Sequence, residues 1–294
     1  MTNKQLIKKR YNWLIYCGLI LILIAAAWIM IQNNGMIEFS ADHDITVPFW
    51  HNWVIYGALL LLILFLPGSS SGNNPLSNKN RKVLVRQSTI LTTLALLLFI
   101  GLLLVPKADV FSYFPLFKIV LLLIAPIVMF FIYRQKRLKT ERLLNHSYLK
   151  DNQWLYPSII TIMWIALYYF SPFSSPEVPG YEIEWNVLFI GALVSFLINS
   201  VLEEVFYRVW LQTRLEVLLG TWPAIMVTSI LWAVWHMAIQ GGESADIAFS
   251  NVIVNQGVTG LFLGFLWAKY RNVWVLIIIH GLMNFPLEVI TELF

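Results

Sequence analysis

About nine stretches of this chain are apolar over close to the length a helix needs to cross a bilayer: roughly 12–32, 52–67, 88–106, 116–133, 155–171, 187–218, 222–240, 247–268 and 273–292. That pattern constrains the fold more than any other feature. Backbone in hydrocarbon must satisfy its own N–H and C=O groups, so such stretches predict helices. The expected fold is all-α, a polytopic integral membrane protein with about nine transmembrane helices, eight being the alternative count. The chain has 294 residues, 59% of them hydrophobic. Its mean hydropathy is +0.70. No compositional break, low-complexity tract or solenoid repeat interrupts it, which predicts one membrane unit.

The basic residues orient the helices. Lys4, Lys8, Lys9 and Arg10 precede the first stretch, and Lys79, Arg81, Lys82 and Arg86 the third. Arg134, Lys136, Arg137, Lys139, Arg142 and Lys150 lie between the fourth and fifth, and Lys269 and Arg271 between the last two. The opposite connections are assigned only Lys107 and Lys118, against Glu38, Asp42, Asp44, Glu177, Glu182 and Glu184. The positive-inside rule then predicts a multi-pass cell-membrane protein with a cytoplasmic N-terminus and an outer C-terminus; a bacterial source is expected as well. It also accounts for the pI of 9.1 without nucleic acid, because the charges sit in short juxtamembrane loops. The basic run 134–150 touching anionic lipid is the less economical alternative. Cys17, alone, excludes disulfides within the chain and Cys-rich metal clusters. The N-terminal apolar run lacks an A-x-A-like cleavage site and reads as a retained span.

Against this background Glu203-Glu204-Val205-Phe206-Tyr207-Arg208 stands out. A charge at the bilayer centre costs about 2.5–3.5 kcal/mol on insertion scales, so these residues need a reason. Glu204 and Arg208, four apart on a helix with the acid nearer the N-terminus, can neutralise each other. Glu203 points about 100° away and has no partner in this segment. A desolvated carboxylate of that kind suits taking a proton from water. Two histidines are intramembrane: His236, four after Trp232, and His280, four before Asn284. Counted from the cytoplasmic ends of their stretches, Glu203 lies roughly 23 Å deep, His236 roughly 21 Å, and His280 and Asn284 roughly 10 and 16 Å. The three helices can therefore meet within the membrane. All five Asp fall in or beside loops, which excludes a membrane aspartyl protease. Ser195 and Asn199 share the face of Glu203, and Asn251, Asn255 and Thr259 form a stripe on the eighth stretch; interhelical hydrogen-bond glue is the favoured reading for these.

Glu-Glu-x-x-x-Arg, then aromatic-x-x-x-His, then His-x-x-x-Asn, in that order on successive apolar helices, resembles the CPBP family of type II CAAX prenyl proteases and bacteriocin-processing or immunity proteins, also called Abi. The stretch Gly264–Trp274 leading into His280 resembles the family's last motif region. The resemblance covers about residues 187–290, with Trp232 standing where many members have Phe. It divides the chain into accessory transmembrane helices with cytoplasmic basic loops, 1–154, and a protease core, 155–294. It implies an intramembrane endopeptidase in which Glu203 and His236 activate water against a peptide carbonyl. His280 and Asn284 would donate to the oxyanion, and Glu204 and Arg208 would support the helix and carboxylate. The partners are a peptide or protein substrate in or at the membrane, prenylated or a bacteriocin or signal peptide, and the bilayer itself.

No cofactor is required in this reading. Zn²⁺ is the alternative, with Glu203, His236 and His280 as ligands and water as the fourth, although no His-Glu-x-x-His is present. The other class of function is a non-catalytic membrane protein on the same scaffold, serving immunity or partner binding. A transporter is weaker still, because no inverted repeat of broken helices is visible. Gly68-Ser69-Ser70-Ser71-Gly72 matches a nucleophile elbow in letters only, with no strand before it. Gly260 and Gly264 predict close helix packing.

Overall fold

The structure, a computed structural model, describes residues 11–40, 45–68, 74–133, 154–174, 184–240 and 244–284. They form α1 (Trp13–Asn33), a short antiparallel ribbon of β1 (Met36–Glu38) and β2 (Thr46–Pro48), α2 (Phe49–Phe65), α3 (Arg81–Leu103), α4 (Val110–Ile132), α5 (Leu155–Phe170), α6 (Trp185–Leu219), α7 (Thr221–Val234, extended by a tight turn Trp235–Ala238), α8 (Ala245–Tyr270) and α9 (Val273–Asn284). Each predicted apolar stretch therefore contains a helix. α1, α3, α4, α6 and α8 are long and apolar enough to cross a membrane; α2, α5 and α9 are shorter apolar helices. The Gly-x-Ser-x-Gly match lies outside the described residues from position 69 on.

Local chemistry sets the helix ends. The Asn80 side chain accepts from Lys82 N and so caps the start of α3, and Asn34 and Arg271 close α1 and α8 in the left-handed region. Gly220, at φ 97°, separates α6 from α7 by a turn that a side chain would strain.

α7 and α8 form the centre. α8 is the most buried of the long helices, and α1, α2, α3 and α6 pack around the pair. Gly260 allows a close approach of the two helices: a Cβ there would meet Ser229 Cβ at 2.9 Å. The predicted glycine contact is thus a backbone seam between α7 and α8. The peripheral helices keep outward apolar side chains such as Leu23, Ile31, Leu104 and Phe131, as a lipid-facing surface requires. Asn255 accepts from Asn52 of α2, and Thr259 bonds the Asn255 carbonyl, so this stripe ties α8 to α2 and to its own backbone.

Two polar clusters define the ends of the bundle. At one, Glu216 receives Arg271 and Asn74, Gln212 bonds both Glu216 and the Gly264 carbonyl, and Lys269 caps the carbonyls of Ile63 and Leu66. At the other, Trp28 donates to Asp246, and Phe173 packs on Trp50 and His51. The first end gathers Lys79, Arg81, Lys82, Lys269 and Arg271. The positive-inside rule predicts this end to be the cytoplasmic one. Cysteine accessibility in a Cys17→Ser background is expected to label Ser77→Cys and Ser147→Cys only from the cytoplasm, and Pro176→Cys and Phe294→Cys from outside. Outside labelling at 147 in intact cells would invert the topology; positions 147, 176 and 294 lie outside the described residues.

The charge assignment needs one correction. Lys118 is not in an outer connection. It lies within α4, fully buried, at a position that the apolar stretch 116–133 already contained.

Candidate active site

α6 positions both carboxylates. Its ladder widens twice, into π-helical segments at Phe196–Val201 and Glu204–Gln212, and Glu203 sits between them. Such segments are rare and frequent at functional sites, because each re-aims side chains relative to a regular helix. The two acids diverge as their 100° offset predicts. Glu203 faces α4 and α7, whereas Glu204 faces α9.

Glu203 is 1% exposed and has two partners. Lys118 Nζ donates to Oε1 at 2.5 Å, and the indole N–H of Trp232 donates to Oε2. The expectation that Glu203 stands alone held only within its own segment: its counter-ion comes from a helix 85 residues earlier. Lys118 also donates to Asn199 Oδ1 at 2.6 Å, and Asn199 Nδ2 donates to Ser195 Oγ. Ser195 and Asn199 are thus hydrogen-bond glue placed directly beside the carboxylate.

Glu204 meets His280 Nδ1 at 2.9 Å through Oε1, and Arg208 Nε at 3.4 Å through Oε2. The predicted Glu204–Arg208 pair is present. His280, however, is oriented by Glu204 and not by Glu203. Arg208 is wholly buried with its guanidinium 5.3 Å from the Trp232 ring, and its nitrogens have no hydrogen-bond partner among the described residues.

Trp232 is the hub of the cluster. Its carbonyl bonds His236 Nδ1 at 2.9 Å, and its ring stands edge-on to His236 at 5.0 Å and to His280 at 5.5 Å. A carbonyl only accepts, so His236 Nδ1 carries the proton, and in the neutral ring Nε2 keeps its lone pair; His280 Nδ1 likewise donates to Glu204 Oε1. His236 is half-buried at the end of α7, packed on Trp235. Asn284, one turn past His280, is exposed at the end of α9 and makes no hydrogen bond to these residues.

Of the predicted residues, the structure brings Glu203, Glu204, Arg208, His236 and His280 around Trp232, and leaves Asn284 at the rim. Sequence reasoning passed over Lys118 by counting it as a loop residue, although an ionisable residue inside an apolar stretch was the signal. At position 232, where many members of the resembled family have Phe, only Trp brings the N–H that Glu203 accepts. Glu216, inside the sixth stretch, went unremarked and proves to be the anchor of the polar cluster with Arg271, Asn74 and Gln212.

The zinc alternative can be tested against the donor set. Among the described residues, no three His, Cys, Asp or Glu are gathered closely enough to hold a metal ion. Glu203 is already neutralised by an ammonium at 2.5 Å, which would repel a dication. The arrangement does not fit a Glu203/His236/His280 metal centre.

Comparison with protein families places this site in context. Residues 185–286 match the family described as type II CAAX prenyl endopeptidase Rce1-like, a span that contains Glu203, Glu204, Arg208, Trp232, His236, His280 and Asn284. The similarity is to a family of CAAX-type intramembrane peptidases. The matched span excludes α1 to α5, and with them Lys118. Neither the curated proteins nor the solved structures yielded a match to the chain.

Proposed function

We propose that the protein is an intramembrane endopeptidase that hydrolyses a peptide bond of a membrane-associated substrate, with Glu203 and His236 activating the water. The observation that carries this reading is that Trp232 holds both the carboxylate of Glu203, through its indole N–H, and His236, through its carbonyl, inside the segment that matches the CAAX endopeptidase family. A carboxylate has about four acceptor sites, so two bound donors leave one on each oxygen for water. The buried guanidinium of Arg208 offers N–H groups of the kind that ordered water commonly satisfies.

In the reaction, Glu203 takes a proton from water as its oxygen attacks the carbonyl carbon. The negative charge passes to the carbonyl oxygen, where His280 and Asn284 are the donors the resemblance assigns; His280 must then present a protonated Nε2. Collapse breaks the C–N bond, and the proton held at Glu203 or His236 leaves with the amine. Oxyanion donors in a water-poor site contribute roughly 3–4 kcal/mol each. Asn284 would have to turn inward as substrate binds at the rim.

The first test is peptide-release proteomics on cells carrying wild-type protein or Glu203→Ala. A set of peptides or clipped tails present only with wild type is the expected result; identical profiles would defeat the proposal. A second test addresses the metal. Purified protein is expected to keep cleaving in strong chelator, and Asn284→Ala to lower kcat by about 10²–10³ with little change in KM. Activity lost to chelation and restored by Zn²⁺ would replace this mechanism with metal-bound water.

One observation favours a second reading. Glu203 is closed off from solvent and charge-paired, as a purely structural residue would be. A non-catalytic immunity or partner-binding protein on this scaffold would pass every stability test and release no peptide.

A further inference from the structure

Lys118 lies outside the family-matched segment and is not among the residues the resemblance assigns. We infer that it is the positioning residue for Glu203, so that α4, from the N-terminal half of the chain, completes the active site.

The argument starts from the cost of the residue. An ammonium buried in hydrocarbon is retained only where it is paired, and such residues are functional candidates by default. All three N–H groups of Lys118 are accounted for. One goes to Glu203 Oε1 at 2.5 Å, one to Asn199 Oδ1 at 2.6 Å, and the Trp235 ring centre lies 4.0 Å from Nζ to take the third. Phe114 closes the cage at 4.9 Å. The lysine is therefore fixed in place and has no proton donor left over for substrate. Its effect must act through Glu203.

On the other side, Lys118 and Trp232 hold different oxygens of the carboxylate. Two donors from two helices fix the plane of the group; one alone would let it rotate about its terminal torsion. Charge agrees with this. The site holds two carboxylates and two cations, Glu203 with Lys118 and Glu204 with Arg208, and the second pair is local to one helix while the first joins α4 to α6. The π-helical segment Ile119–Ile124 begins immediately after Lys118, so α4 changes its ladder where it meets the site.

The inference rests on the peptidase reading for its catalytic part and on geometry for its pairing part. The test separates them with two measurements on full-length protein in detergent. Melting temperatures are compared for wild type, Lys118→Met, Glu203→Gln and the double variant. Both single variants are expected to melt lower, and the double variant, with both charges gone, to regain most of the loss. Cleavage of a prenylated CAAX-motif peptide is then followed for wild type, Lys118→Met, Lys118→Arg and Trp232→Phe. Lys118→Met is expected to lose about 10²-fold in kcat with KM within about twofold, and Lys118→Arg to recover part of it. Additive melting effects would refute the pair. Coupled melting with wild-type kcat in Lys118→Met would refute the positioning role while leaving the peptidase reading intact. Wild-type protein inert toward the peptide would overturn the CAAX-peptidase reading and the positioning role of Lys118 together, with the melting cycle still deciding the pair.

Discussion

Glu203→Gln and His236→Ala are both expected to abolish peptide release, yet to differ sharply in stability. Losing a general base typically costs about 10²–10⁴ in rate, and here the base is also the carboxylate that accepts the Trp232 indole N–H. The glutamine is nearly isosteric, so the helix and its packing persist. Its amide nevertheless cannot accept from both Lys118 and Trp232: one of the two donors must face an NH₂. The Lys118 ammonium is left buried without its counter-ion, and breaking a buried pair commonly costs about 3–5 kcal/mol. A carboxylate with no partner would have predicted a silent variant of normal abundance. The observed pair predicts a silent variant that also melts early. His236, half-buried and bonded only to a helix carbonyl, has no such debt. His236→Ala is therefore expected to accumulate normally and to be inactive. The measurement is substrate turnover alongside detergent melting for each variant, and wild-type turnover by either would remove that residue from the chemistry.

The helices were legible because bilayer length and hydropathy are local properties, and each predicted stretch contains one. The site was legible where its geometry is local too. The divergence of Glu203 from Glu204 and the pairing of Glu204 with Arg208 follow from helix spacing, and the motif order brings α6, α7 and α9 together. What spacing cannot reveal is which face of one helix meets which face of another. Hence neither the pairing of Glu203 with Lys118, 85 residues away, nor that of Glu204 with His280 could be read from the spacing. The π-helical segments belong to the same class. They are responses to packing, and nothing in the composition of Phe196–Val201 or Glu204–Gln212 announces them. The division at residue 154 follows the motif content of the chain, while the packing crosses it: α1 lies against α7 and α8, α2 against α8, and α4 reaches Glu203.

Arg208→Ala is expected to be the most destabilising of the single substitutions in the core motif. It removes the whole side chain of a fully buried arginine that stacks near Trp232 and faces Glu204. Three losses follow from one change. Glu204 keeps a buried charge with only His280 beside it, at a cost of about 3–5 kcal/mol for a broken buried pair. The space left by the side chain undermines the face of Trp232, the residue that holds both Glu203 and His236. His280, oriented by Glu204, loses the second cation that keeps that carboxylate in place. Arg208→Lys restores the charge but not the planar fork or the contact with the indole ring, so it is expected to recover part of the stability and little of the activity. Detergent melting and steady-state abundance of the two variants give the check. If Arg208→Ala melted with the wild type, Glu204 would not depend on that pair, and the support assigned to it would have to come from His280 alone.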